Sequence, residues 1–135
     1  MNRPQVIAVD GHEPLLEQVQ RLLASEFNVV GVFADGDSAI EAVVRLAPDV
    51  SVLDLSMPGP SVIEITRRAR ELNLDLKFVI LTVHEDQDLA RESFNAGASG
   101  YVAKSGIVSD LSVAIHEVLA GRSYISLSVN LESNP

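Results

Sequence analysis

Four residues far apart in the chain each place a chemically competent group at or near the end of an apolar run. Asp10 closes "QVIAVD", Asp54 interrupts "DVSVLDL", Thr82 lies in "KFVILTV" and Lys104 closes "GYVAK". Two carboxylates, a hydroxyl and an ammonium brought together could hold a hard cation and a phosphoryl group. The carboxylate oxygens suit Mg²⁺, one carboxylate can act as a nucleophile, and the hydroxyl and ammonium can donate to phosphoryl oxygens. On this reading Asp54 is the attacking carboxylate. Taken singly the four have plainer roles: Asp54 would cap a turn, Asp10 would stabilise a helix start, and Lys104 would be a solvated lysine. Only their joint placement makes a site.

That placement depends on the elements between them. Runs rich in Val and Ile recur at residues 5–10, 28–33, 49–55, 77–83 and 100–104, near-continuous as strands covered on both faces should be. Segments with helical spacing separate them: Leu15, Leu16, Val19, Leu22 and Leu23, then Ala39, Ile40, Val43 and Val44, then Val62, Ile65, Ala69 and Leu72. A fourth helix is predicted through Leu89, Ala90, Ser93 and Phe94, and a fifth over 109–119 with Leu111, Ala114, Ile115 and Val118 inward. Local signals agree: Pro14 suits a first helical turn, Ser61 and Glu64 have capping-box spacing, Pro48 closes the second helix, and Gly97 and Gly121 suit helix C-termini. The pattern is βα repeated five times. Right-handed crossovers then give a doubly wound five-stranded parallel sheet with helices on both faces, whose chemistry gathers at the C-terminal strand ends. The tail, 122–135, is polar and lacks a helical stripe, so it reads as a linker or disordered tail.

Composition narrows the function. With 135 residues the chain is one domain by size, and the absence of cysteine removes thiolate chemistry and disulfides. There is no apolar run of membrane-spanning length and no signal-peptide layout, so no membrane is expected and a cytoplasmic protein is. A net charge of -9 argues against direct nucleic acid binding by this chain. The "TRRAR" cluster, with Arg67, Arg68 and Arg70, reads as a solvated helix face. His12, His84 and His116 lack metal-ligand spacing. Only 4% of residues are aromatic and no Gly-rich loop follows the first strand, so flavin and nucleotide binding are disfavoured. Ser126 and Ser128 show no partner base for nucleophilic work.

The segments "VDGH" (9–12), "PDVSVLDLSMPG" (48–59), "VILTVHED" (79–86) and "FNAGASGYVAKS" (94–105) together resemble the receiver domain of two-component response regulators. The likeness runs over 1–121 and is strongest to receivers preceding a LuxR-type helix-turn-helix DNA-binding domain. It implies a flavodoxin-like fold and a signalling switch, not an enzyme. By this resemblance Asp54 is the phosphoacceptor, and Asp10, Asp54 and the backbone carbonyl of Ser56 form the Mg²⁺ site. Thr82 and Lys104 would contact the phosphoryl group, and Thr82 and Tyr101 would be the switch pair. The implied partners are a sensor histidine kinase and, as a homodimer, a second copy. The implied output face is the fourth helix, fifth strand and fifth helix, with Leu89, Arg91, Glu92 and Asn95 as candidates.

Two residues depart from that pattern. Gly11 stands where the family has a second acid, which should weaken Mg²⁺ binding, since Mg²⁺ is held largely by carboxylate charge. Glu13 beside Pro14 reads as a helix-start residue near the positive dipole end, not a replacement ligand. Val62 stands where the family has glycine, so the loop after Asp54 should follow a different path. These departures support an alternative: a degenerate, phosphorylation-independent pseudo-receiver acting as a protein interaction or dimerisation module. The retained Asp54, Thr82 and Lys104 favour the switch, and the short tail favours a receiver excised from a longer protein.

Overall fold

The structure, a computed structural model, describes residues 3–55, 61–72, 77–83, 86–126 and 129. Strand β1 (Gln5–Val9), helix α1 (Glu13–Leu23), β2 (Asn28–Phe33), α2 (Gly36–Leu46), β3 (Val50–Asp54), α3 (Val62–Glu71), β4 (Lys77–Thr82), α4 (Gln87–Ala96), β5 (Gly100–Ala103) and α5 (Ile107–Leu119) alternate as the hydrophobic periods predict. A short 3₁₀ turn, Lys104–Gly106, joins β5 to α5. All pairings are parallel and the strand order is β2-β1-β3-β4-β5-β6. The sheet therefore has six strands, not five. The sixth, β6 (Tyr124–Ile125), comes from the segment expected to be a linker or disordered tail.

Period-two alternation sends successive strand residues to opposite faces. Val6, Ala8, Val50, Val52, Val79 and Leu81 pack with α1 and α5, whereas Ile7, Val9, Leu53, Phe78 and Ile80 pack with the α2, α3 and α4 layer. Each helix buries a narrower stripe than its apolar residues suggest: Val44 on α2 and Leu72 after α3 are 51% and 47% exposed, contrary to the inward positions expected of them. The fifth helix begins at Ile107 rather than 109, and Ile107 joins its buried stripe.

The helix ends follow local chemistry. Ser61 and Glu64 form the reciprocal capping box at α3, with Glu64 N donating to Ser61 Oγ at 3.1 Å and Ser61 N donating to Glu64 Oε1 at 3.0 Å. Asp35 caps α2 by accepting from Ser38 N, which holds its carboxyl below the usual range. Gly97 ends α4 at φ +121°, and a Cβ there would meet the Arg70 guanidinium at 2.7 Å. The positive φ favours glycine there, whereas the exposed Arg70 side chain could swing aside for a Cβ. Arg67 and Arg68 are exposed, as the solvated-face reading requires.

Candidate phosphoacceptor site

Strand order reverses between β1 and β3, because β1 pairs with β2 on one side and β3 on the other. A crevice opens at such a switch point beyond the strand C-termini. Register then aligns the polar residues: Val9 faces Leu53, Asp54 faces Leu81, and Thr82 faces Ala103. Asp10 and Asp54 thus lie side by side, and Lys104 follows one residue beyond the β5 partner of Thr82.

The side chains meet as the sequence suggests. Lys104 Nζ lies 2.8 Å from Asp10 Oδ2 and 3.4 Å from Asp54 Oδ1. Asp10 and Asp54 are 1% and 5% exposed, so water screens this trio poorly. One ammonium serves two carboxylates, leaving the trio short of positive charge. Asp10 Oδ1 accepts from the His12 backbone N–H at 2.8 Å. Its Oδ2 meets the ammonium but no aligned hydrogen-bond donor among the described residues.

Thr82 is fully buried at the end of β4, on the alternation face of Phe78 and Ile80. Tyr101 is fully buried on the same side, and the Tyr101 and Thr82 side chains hydrogen-bond. Burial, opposed by that bond and reinforced by the Asp86 charge, pushes the Tyr101 phenol above its ordinary range. Tyr101 is therefore already turned inward.

The structure brings Asp10, Asp54 and Lys104 together and couples Thr82 to Tyr101. Ser56 and His84 lie outside the described residues, as does the loop 56–60 whose path Val62 was expected to alter. Val62 itself is the first residue of α3 and is buried in the core. Glu13 is exposed in the first turn of α1, as the dipole argument anticipates. Sequence reasoning missed Asp110 and Ser126. Asp110 accepts from Tyr124 Oη at 3.0 Å and from Ser126 Oγ at 2.9 Å, beside the strand that carries Tyr101. The available signal was the alternation of Ile125, Leu127 and Val129 with Ser126 and Ser128, a strand period in a segment judged only for helical spacing.

Sequence and structural comparisons agree with this geometry. Residues 6–116 match the response regulator receiver domain family, and the chain belongs to that family. It is 35% identical over 126 residues to the transcriptional regulatory protein DegU of Brevibacillus brevis, covering 92% of this chain and 53% of that protein. The chain spans about half the length of the curated relatives it matches. A crystal structure of a two-component response regulator of the LuxR family from Aurantimonas sp. SI85-9A1 superposes with a TM-score of 0.89 at 35% identity, covering 95% of this chain and 93% of that one. The isolated receiver of RcsB from Salmonella enterica serovar Typhimurium, solved with phosphomimetic BeF3⁻, has a TM-score of 0.85 at 27% identity and covers 95% and 96% of the two chains. A further RcsB structure holds two dimers on two parallel DNAs.

Receiver domains generally bind Mg²⁺ at the phosphorylation site and interact with histidine kinases. The donor set here fits a hard cation with reduced charge. Two buried carboxylates adjoin, and Asp10 Oδ2 has no aligned donor. With Gly11 in the acid's place, no group of three or more metal-competent side chains forms among the described residues. No helix among the described residues is long and apolar enough to cross a membrane.

Proposed function

We propose that this chain is a phosphoryl-accepting switch in which Asp54 takes the phosphoryl group from the phosphohistidine of a sensor kinase. The carrying observation is Lys104 Nζ, held within 3.4 Å of Asp54 and 2.8 Å of Asp10 at the switch-point crevice. An Asp54 carboxylate oxygen attacks phosphorus, the P–N bond to the donor imidazole breaks, and the imidazole leaves with its nitrogen lone pair and takes up a proton. An acyl phosphate forms on Asp54. Later attack of water on phosphorus breaks the O–P bond and returns the carboxylate and inorganic phosphate. The chain acts as acceptor rather than as an enzyme on a separate substrate.

Charge explains the roles of the neighbours. The attached phosphoryl group carries about -1.5 to -2 charge at neutral pH, against the single carboxylate charge it replaces. Lys104 can follow that charge from Asp10 to a phosphoryl oxygen, drawing on the turn that carries it. Asp10 and Asp54, with the carbonyl of Ser56, would hold Mg²⁺, which supplies the positive charge that Lys104 alone cannot. With one acid fewer, that affinity is expected to be low. Thr82 would exchange its hydrogen bond with Tyr101 for one to a phosphoryl oxygen, changing the loop beside α4 and the output face around Leu89, Arg91, Glu92 and Asn95.

The family resemblance supports a cytoplasmic setting and transcriptional output through a DNA-binding domain, and the RcsB dimers support a homodimer as the phosphorylated form. The test is intact mass after incubation with acetyl phosphate and Mg²⁺, beside Asp54→Asn. A phosphate-sized gain lost in the variant is the expected result. A folded protein that gains no mass favours the phosphorylation-independent module, with Gly11→Asp as the restoring variant.

A further inference from the structure

The segment after α5 does not simply leave the domain. Tyr124 and Ile125 add a sixth parallel strand at the outer edge of β5, opposite Gly100 and Tyr101. Tyr124 N donates to Ser99 O at 3.1 Å and Ser126 N donates to Tyr101 O at 3.0 Å. Where β6 ends, a side chain continues the ladder: Ala103 N donates to Ser126 Oγ at 3.0 Å, and Ser126 Oγ donates to Asp110 Oδ2 at 2.9 Å. Tyr124 Oη occupies the other carboxylate oxygen. Ser126 is 1% exposed, while Asp110 and Tyr124 are half-buried, so the relay is screened from water at its serine end.

The same carboxylate lies beside the last residue of the turn that begins at Lys104: a Cβ on Gly106 would stand 2.8 Å from Asp110 Oδ2. The segment 122–126 therefore touches Tyr101 through its carbonyl, Ala103 through its amide and the Lys104 turn through Asp110. Every one of these lies next to a group that the phosphoryl chemistry moves.

We propose that Asp110 and Ser126 are positioning residues for Lys104, and that through them the departing segment 122–126 reads the phosphorylation state of Asp54. The inference rests on the phosphoacceptor reading. Displacing Lys104 towards a phosphoryl group pulls the Ala103–Lys104 backbone against Ser126 and the Gly106 turn against Asp110. Coupling of two equilibria is reciprocal: if phosphorylation alters the hold on 122–126, loosening that hold alters the phosphorylated state.

The test combines intact mass with hydrogen exchange on the whole chain, using acetyl phosphate and Mg²⁺. Phosphorylation of Asp54 is expected to change exchange at the Tyr124 and Ser126 amides at least threefold. Ser126→Ala and Asp110→Ala should change the lifetime of the phosphorylated form at least threefold, Ser126→Thr should restore it, and Val43→Ala, a destabilising truncation in the opposite core layer, should leave it alone. Asp110→Asn, which keeps a carbonyl acceptor, serves if Asp110→Ala does not fold. A wild-type chain that gains phosphate without altered exchange at 122–126, or variants with unchanged lifetimes, would overturn the inference while leaving the phosphoacceptor reading intact. Failure of the wild type to gain phosphate overturns both.

Discussion

At the end of β5 two acidic clusters stand on either side of one strand. Towards the sheet centre, Asp10 and Asp54 share the single ammonium of Lys104; towards its edge, Asp110 accepts two hydroxyl hydrogen bonds. The central cluster has one cation for two carboxylates, and charge dominates its geometry although Asp10 Oδ1 also accepts from the His12 N–H. The outer one has both carboxylate oxygens engaged by fixed donors, near the positive end of α5, where Asp110 occupies the first turn. A charge-held site can be re-equilibrated by a new charge, whereas a hydrogen-bonded one transmits displacement. Chemistry and relay thus use the same residue type in opposite surroundings.

Removing Lys104 should show the largest difference. Lys104→Met leaves two nearly buried carboxylates without their cation, and a loss of about 3 kcal/mol is expected, read as a lower urea midpoint. Asp54→Asn in that background should recover part of it. A cost for Lys104→Met no greater than that for Ser126→Ala would break the comparison. Ser126→Ala, which strips the Ala103 N–H of its acceptor and Asp110 of a donor, should cost about 1–2 kcal/mol by the same measurement.

A third buried polar group calibrates both clusters. Ser51, at the middle of β3, is fully buried and its hydroxyl has no hydrogen-bond partner among the described residues. Ser51→Ala should therefore stabilise the fold by about 1 kcal/mol, a rise of a few degrees in thermal midpoint. A loss instead would mean that the hydroxyl is satisfied in solution.

The finest contrast lies in the two tyrosines. Tyr101 faces a hydroxyl, and burial raises its phenol; Tyr124 faces the Asp110 carboxylate, and burial with that neighbour pushes it up to about 12. Both phenols are held above the ordinary tyrosine value of about 10, so their contribution to stability is complete below about pH 10 and lost as pH rises through the folded values. With no tryptophan and two tyrosines, ultraviolet titration reads only these groups. Tyr124→Phe should remove the step near pH 12 and leave the Tyr101 step. A wild-type titration with both midpoints at the ordinary value of about 10 would contradict both environments.

Five of the six strands, the four crossovers between them and the convergence of Asp10, Asp54 and Lys104 were legible because long apolar runs and capping residues repeat over many positions. Val44 and Leu72 were misjudged inward because an apolar residue beside a helical stripe costs little when exposed. Asp110 and Ser126 escaped because the alternation around Ser126 is short and says nothing about which residue its hydroxyl meets. The partner of Ser126 is a helix residue sixteen positions earlier in the chain, a separation that no local pattern reports. Tyr101, implied by the family resemblance to be half of the switch pair, is already inward, packed against the α2, α3 and α4 layer.

The sixth strand also bears on solubility. An uncovered β5 would present unpaired backbone donors and acceptors along an apolar strand, a template for any extended segment of another molecule. Two residues and one serine hydroxyl close most of that border. Their release would open that rim to self-association, so light scattering would register the strand's departure without reference to phosphate.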